Sequence, residues 1–342
     1  MASDPATVLS HFSVGDVTSV TRSGAGHIND TYLVETATGR YILQRINSAV
    51  FPDADALMGN FARVTAHLRA ESSKTLEIIP THDGSRVYRD YTGSAWRLLP
   101  YIENTFTATA TPTSEQAEAA AAAFGAFSRS LSDLPAPRLH ETIPEFHDTP
   151  RRFRDFISAV ETDPMDRTAG SRAEIDAILS REPWCNTIAN AMADGSVPER
   201  IAHNDAKLDN ILFDAETDLP VCVIDLDTVM PGCVLHDFGD LVRSAAATAA
   251  EDEADLSRVG ISAPIYQALN IGFLRGCGDI LTAREREFLP FAGKAITYEQ
   301  AIRFLADHLL GDPYYKTSRP NHNLDRARNQ LRLLDTLDSL EA

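Results

Sequence analysis

The stretch HNDAKLDNILFD, residues 203–214, sets an aspartate two places after a histidine and an asparagine five places after that aspartate, directly ahead of an apolar run. A second apolar piece follows in VCVIDLDTV, residues 221–229. If strands at 211–213 and 221–226 pair through the turn DAETDLP, Asn210 enters one strand as Asp225 leaves the other. Strand alternation then sends Val221, Val223, Asp225 and Asp227 to one side and Cys222, Ile224 and Leu226 to the other. A carboxylate at a buried strand end is costly unless a cation or hydrogen bonds compensate it. The amide oxygen of Asn210 and the carboxylate of Asp225 are hard donors that suit Mg²⁺, which keeps waters and takes further ligands from substrate phosphates. The pattern asks for a nucleotide triphosphate, with Asp205 on the loop before it.

The rest of the chain sets the bounds on this reading. At 342 residues, 44% hydrophobic and 23% charged, it has room for two packed lobes. A net charge of −18 argues against nonspecific binding to nucleic acid or anionic membrane, although a local basic patch can still hold one phosphate. The longest apolar runs are too short to cross a bilayer, and the opening MASDPATVLSHF lacks a basic segment followed by an apolar one, so a cytoplasmic location is expected. Cys185, Cys222, Cys233 and Cys277 are widely spaced without a CxxC pair and read as reduced, mostly buried thiols.

The pattern changes near residue 103. Before it, DVTSVTR, DTYLVETATGRYILQRI and SRVYRDYTGSAWRLLPYI alternate like strands, with turn signals at Thr38-Gly39 and Thr92-Gly93. One helix is expected among these hairpins, in DADALMGNFARVTAHLRA, where Ala54, Leu57, Met58, Phe61, Val64 and Leu68 recur at helical spacing. After it the chain reads as helical, starting at Thr113 or Ser114, with further helices near 150–160, 172–181, 186–194, 238–248, 264–276, 282–289, 294–310 and 323–340. The expected architecture is α+β, with an antiparallel β-rich lobe over 1–103 and a larger, mainly helical lobe over 104–342.

The spacing from Asp205 to Asn210, with the hairpin to Asp225, resembles the catalytic loop and metal-binding aspartate of kinases. The form HNDAKLDNIL…VIDLD is most similar to the aminoglycoside phosphotransferase and choline kinase branch of the two-lobed protein-kinase-like fold. GHINDTYLV, YILQRIN, EFHDTP, IDLDTVMPG, DFGDLVR and RFLADHLLGDPYY extend the resemblance to the N-acetylhexosamine 1-kinases, which phosphorylate the anomeric hydroxyl of N-acetylglucosamine or N-acetylgalactosamine. The resemblance implies ATP and Mg²⁺, with Asp205 accepting or orienting the proton of the attacking hydroxyl and Asn210 and Asp225 holding the metal. Asp227 is then a second metal ligand, an acceptor behind the ligands or a sugar contact.

On the nucleotide side, Gly24 and Gly26 in SGAGHIND stand where a phosphate loop belongs, or form a plain hairpin turn. Asn29 occupies the third position of what would be GxGxxG. Gln44 stands where a kinase usually presents a lysine to the phosphates, and alternation points its neighbour Arg45 the other way. Backbone groups of Tyr101 and Ile102, in PYIEN, are the expected contacts to adenine. By resemblance, His27, His147, Arg303 and Tyr314 are candidates for the sugar hydroxyls and acetamido group. Alternatively, the histidines are satisfied structural residues and Arg303 pairs with Asp307. DFGDLVR, residues 237–243, reads as a helix start with Asp237 or Asp240 as a structural acceptor.

Overall fold

Alternation over the first hundred residues becomes a five-stranded antiparallel sheet in the order β1-β2-β3-β5-β4. Its strands are β1 (Val17–Arg22), β2 (Asp30–Thr36), β3 (Arg40–Arg45), β4 (Tyr88–Arg89) and β5 (Ala95–Pro100), preceded by a short helix α1 (Pro5–Leu9). The structure is a computed structural model that describes residues 3–23, 28–108 and 112–340. Both expected turns are present: the Thr36 N–H reaches the Gly39 carbonyl at 2.9 Å, and Gly93 closes the second with φ +82°. Helix α2 (Ala54–Ala70) is capped by Asp53 and buries Leu57, Met58, Phe61, Val64 and Leu68 in a shared apolar core that also contains Leu226 and Val229. Those two flank the second aspartate motif, so the sheet's helix and the motif share one core.

Beyond β5 the chain is mostly helical. Its helices are α3 (Ser114–Ser130), α4 (Thr149–Thr162), α5 (Arg172–Leu179), α6 (Thr187–Ala193), α7 (Val234–Ala245), α8 (Ala263–Cys277), α9 (Ala283–Leu309) and α10 (His322–Leu340). Thr113 starts α3 through a reciprocal capping box with Gln116. The alanines of α3 matter for packing as well as propensity. A Cβ at Gly272 or Gly276 of α8 would lie 2.0 Å from the Glu118 carbonyl or 2.2 Å from the Ala122 carbonyl, so the two helices meet backbone to backbone.

Short strands complete the fold: β6 (Thr105–Thr107), β8 (Ile211–Asp214) and β9 (Pro220–Val223) form one sheet, and β7 (Arg200–Ala202) pairs with β10 (Met230–Gly232). β6, β7 and β10 escape the sequence reading because three residues carry too little periodicity. The expected helices 282–289 and 294–310 are one continuous helix, α9, with Pro290 inside it. The missing N–H removes one hydrogen bond, while burial of Leu289, Ala292, Ile296 and Tyr298 holds the helix through it. α7 begins four residues earlier than expected. The four cysteines are free and buried, and no helix among the described residues is long and apolar enough to cross a membrane.

Candidate active site

The catalytic-loop motif follows β7. Its backbone is fixed from behind by Asp237 in the first turn of α7, fully buried, whose carboxylate accepts the N–H groups of His203 (2.9 Å) and Asn204 (2.7 Å). Asn204 takes a left-handed conformation, φ +62°, and its amide donates to the carbonyls of Thr228 (3.0 Å) and Ala202 (3.2 Å). Gly232 makes room for it, since a Cβ there would stand 2.4 Å from the Asn204 Oδ1. His203 is buried against the edges of Phe124 and Phe127, and its Nε2 bonds the Ile224 carbonyl at 2.9 Å. The loop is thus held in a conformation it would not adopt alone.

β8 and β9 pair as expected, with Ile211 opposite Val223, and the Ile224 N–H donates to the Asn210 carbonyl at 2.9 Å. The route to Asp225 differs from the alternation argument. β9 stops at Val223, Asp225 adopts φ +56°, and Leu226–Thr228 form a 3₁₀ turn, so Asp225 and Asp227 do not share a strand face. Asn210 closes a 3₁₀ turn over Leu208–Asn210, and its Nδ2 donates to the Asp205 carbonyl (2.7 Å) and carboxylate (3.1 Å).

The electrostatics separate the two carboxylates. Burial alone would push Asp205 up, but the Lys207 ammonium 2.5 Å away, with Asn210, brings it down to about 2. Burial and the neighbouring charges of Asp227 and Asp205 push Asp225 up to about 6. Asp225 is exposed to a cleft, and among the described residues no protein cation is in contact with its carboxylate. A bound divalent ion is the natural relief for such a group, and Asn210 and Asp225 line the same cleft. Its oxygen-rich donor set fits Mg²⁺.

That cleft measures about 530 Å³ and runs under the five-stranded sheet. Ile42, Leu99, Leu212 and Ile224 form apolar walls, and Gln44, Arg97, Asn210 and Asp225 mark the polar end. The Tyr101 N–H bonds the Arg40 carbonyl (3.0 Å), and the Ile102 carbonyl accepts the Thr105 hydroxyl (2.6 Å). For the other backbone groups of that pair, the Tyr101 carbonyl and the Ile102 N–H, no hydrogen bond is found among the described residues. Gly24, Gly26 and His27 lie outside the described residues. A larger cleft of about 710 Å³, lined by His11, Thr81 and Arg89, contains none of the motif residues.

Two expected sugar contacts are otherwise engaged. Both oxygens of Asp227, which is 2% exposed, accept from Arg97, and Oδ2 also accepts from Asn29 Nδ2 at 2.8 Å. His147 has both ring nitrogens occupied, Nδ1 by Glu299 (2.8 Å) and Nε2 by the Asn204 carbonyl (2.9 Å). Every polar side-chain atom of both residues thus already has a protein partner. Arg303 sits between the rings of Phe146 and Tyr315, 5.5 and 5.7 Å from their centroids, with Glu299 at 4.0 Å. Asp307, its alternative partner, instead accepts the N–H groups of Tyr314 (2.8 Å) and Tyr315 (3.0 Å), which brings the 57%-exposed Tyr314 beside Tyr315. The sequence reading missed Lys207 and Arg97. The first stands inside the opening motif, and the second is a lone charge in the apolar run AWRLLP.

The His147 contacts carry a pH signature. Burial opposes the imidazolium, but Glu299 overcomes this and raises the His147 pKa, while Glu299 itself is held down to about 2 despite burial. His236, ring centroid 4.7 Å away, is kept neutral by burial and by His147, and Arg303 opposes the His147 charge. His147→Ala leaves Glu299 underpaired and should destabilise the protein by about 3 kcal/mol at pH 6. Because the folded pKa is raised, the wild-type advantage is complete below roughly 6.5 and declines as pH rises through the folded value. Urea midpoints of both proteins from pH 6 to 9 test this, and a pH-independent gap contradicts it.

The fold and the family match together define the class of this protein, a phosphotransferase. The chain belongs to the phosphotransferase enzyme family (APH), which matches residues 19–269. Among solved structures, a microcompartment-associated aminopropanol kinase aligns at TM-score 0.70 and 17% identity, over 98% of this chain and 97% of that one. Amicoumacin kinase hAmiN in complex with AMP-PNP, Ca²⁺ and Ami aligns at 0.66 and 14%, over 97% and 94%. The choline kinase LicA of Streptococcus pneumoniae aligns at 0.57 and 13%, over 95% and 94%. At such identities the likeness concerns the fold.

Proposed function

We propose that the protein is an ATP- and Mg²⁺-dependent kinase that phosphorylates the anomeric hydroxyl of N-acetylglucosamine or N-acetylgalactosamine to give the sugar 1-phosphate. Residues 1–103 serve as the nucleotide-binding lobe, and residues 104–342 carry the catalytic loop and the sugar site. Asp205 orients the acceptor hydroxyl and takes its proton, a modest demand because an anomeric hydroxyl is more acidic than an ordinary alcohol. Asn210 and Asp225 would hold Mg²⁺, which supplies charge neutralisation on the phosphates. Lys207, beside Asp205, adds a positive charge near the transferring group. Gln44 lines the nucleotide cleft, and Tyr101 and Ile102 meet the adenine. Arg303 and Tyr314 are the remaining sugar candidates.

The observation that carries the acceptor class is the charge balance beyond Asp205. Asp240 and Glu251 are matched by Arg243 at 2.8 and 2.6 Å, and Glu299 is matched by His147 and Thr149. Arg152 and Arg326 bond neutral groups, the Phe146 carbonyl (3.2 Å) and Asn323 Oδ1 (3.0 Å). A cationic acceptor would thus meet surplus guanidinium groups and carboxylates already paired, whereas a neutral polyhydroxylated acceptor finds donors. This favours a sugar over the amine-bearing acceptors suggested by the names of similar structures.

The test is coupled ADP release with Mg-ATP and a panel of N-acetylglucosamine, N-acetylgalactosamine, choline, homoserine, aminopropanol and an aminoglycoside, followed by phosphorus NMR of the product. A sugar 1-phosphate is the expected result. Turnover of only an amine acceptor overturns the sugar assignment. ATP binding without turnover on any acceptor favours a noncatalytic nucleotide-binding module.

A further inference from the structure

The position where a kinase lysine is expected holds Gln44, yet the same place is occupied by a cation from the next strand. Gln44 of β3 lies directly across from Arg97 of β5 in the sheet register. Arg97 Nε donates to Gln44 Oε1 at 2.9 Å, and the Gln44 amide in turn donates to Thr31 Oγ1 at 3.1 Å. The guanidinium fork then leaves the sheet and grips Asp227 through both oxygens, with Nη2 to Oδ2 at 2.9 Å. Asn29, immediately before β2, donates to the same carboxylate and accepts the Asn47 N–H at 3.0 Å. Thr142 holds the Asp227 carbonyl at 2.7 Å. Arg97 and Asp227 side chains are 2% and 3% exposed.

Resting on the kinase reading above, we propose that the Arg97–Asp227 pair, braced by Gln44 and Asn29, positions the metal-binding Asp225 against the nucleotide-binding sheet in place of a lysine at position 44. Asp227 stands two residues after Asp225, within one tight turn whose Leu226 is locked in the core beside α2. Arg97 and Gln44 line the cleft that Asp225 also lines. The fork therefore spans from the roof of the cleft to the backbone that presents Asp225, and it leaves Asp225 as the carboxylate of that turn open to a ligand.

A buried ion pair seldom justifies itself by stability, because apolar residues of similar size often do as well or better. Bidentate geometry with its neighbours satisfied is what a device for orientation requires. Arg97 also offsets part of the negative charge that Asp227 brings beside Asp225. Arg97 and Asp227 are positioning residues in this scheme, since they act through the turn that carries Asp225.

The test separates position from stability. Arg97→Gln with Asp227→Asn replaces the charges by amides that can still bond each other, and should unfold in urea close to the wild-type midpoint. The ratio of its ATP affinities with and without Mg²⁺, the Mg²⁺ gain read by calorimetry, should fall by about 10- to 100-fold. Arg97→Lys keeps the charge but loses the fork, and should be folded with a smaller loss of the same gain. A wild-type Mg²⁺ gain retained by the double variant, or by Arg97→Lys if the double variant does not fold, makes the pair merely structural and overturns the inference alone. Absence of any Mg²⁺ gain in the wild type overturns the kinase reading and the inference together.

Discussion

Asp205→Asn should lower kcat by about 10³-fold while leaving the Kd for ATP nearly unchanged. The asymmetry follows from placement. Asp205 lies outside the lining of the nucleotide cleft, on the loop anchored by Asp237 and His147, and its carboxylate bonds Lys207 and Asn210. With its pKa near 2 it is ionised throughout the neutral range, which suits a group that orients a hydroxyl and receives a proton late. Asparagine keeps the shape and can still accept one bond, so the loop should survive; the negative charge and the proton acceptor do not. ADP release with product NMR gives the rate, and calorimetry gives ATP affinity. A kcat within threefold of wild type would remove Asp205 from the chemistry.

Asp225→Asn should be similarly severe in activity, about 10³-fold, for a different reason. The substitution removes the charged ligand that fits a divalent ion, so the Mg²⁺-dependent gain in nucleotide affinity should vanish with it. Stability should move the opposite way. Without divalent ion, the folded pKa of about 6 lies above the unfolded value near ~3.9, so ionisation of Asp225 works against the fold. The asparagine variant should therefore melt above wild type in chelator at pH 8, and the advantage should close as pH falls through 6 toward 4. Equal melting temperatures across that interval would show that the cleft already compensates the carboxylate.

That Asp205, Asn210 and Asp225 come together was legible because the logic is local: an aspartate, an asparagine five residues on, and a hairpin that returns to a second aspartate. Even there the last step was misread, because a left-handed residue and a 3₁₀ turn deliver Asp225 after the strand has ended. The hairpin sheet and α2 followed from alternation, turn residues and helical spacing. For Asp227 and His147 the structural alternative was open in the sequence, but their partners Arg97 and Glu299 were not legible, lying 130 and 152 residues away. Nothing near a residue announces that a distant side chain will occupy its atoms. Pro290 misled for a related reason: tertiary burial carries α9 through a residue that local rules treat as a stop.

Helix α9 presents Glu299, Arg303 and Asp307 at successive four-residue steps, about 12 Å from end to end. The first reaches the catalytic loop through His147, the second lies between two rings, and the third fixes the Tyr314–Tyr315 turn. On the proposed reading, one rigid rod thereby gauges the distance from the loop of Asp205 to the wall offered to the acceptor. Descendants of such a scaffold can exchange the middle and distal marks of this ruler for others, and so diverge in what they phosphorylate, while the mark that serves the chemistry stays in place.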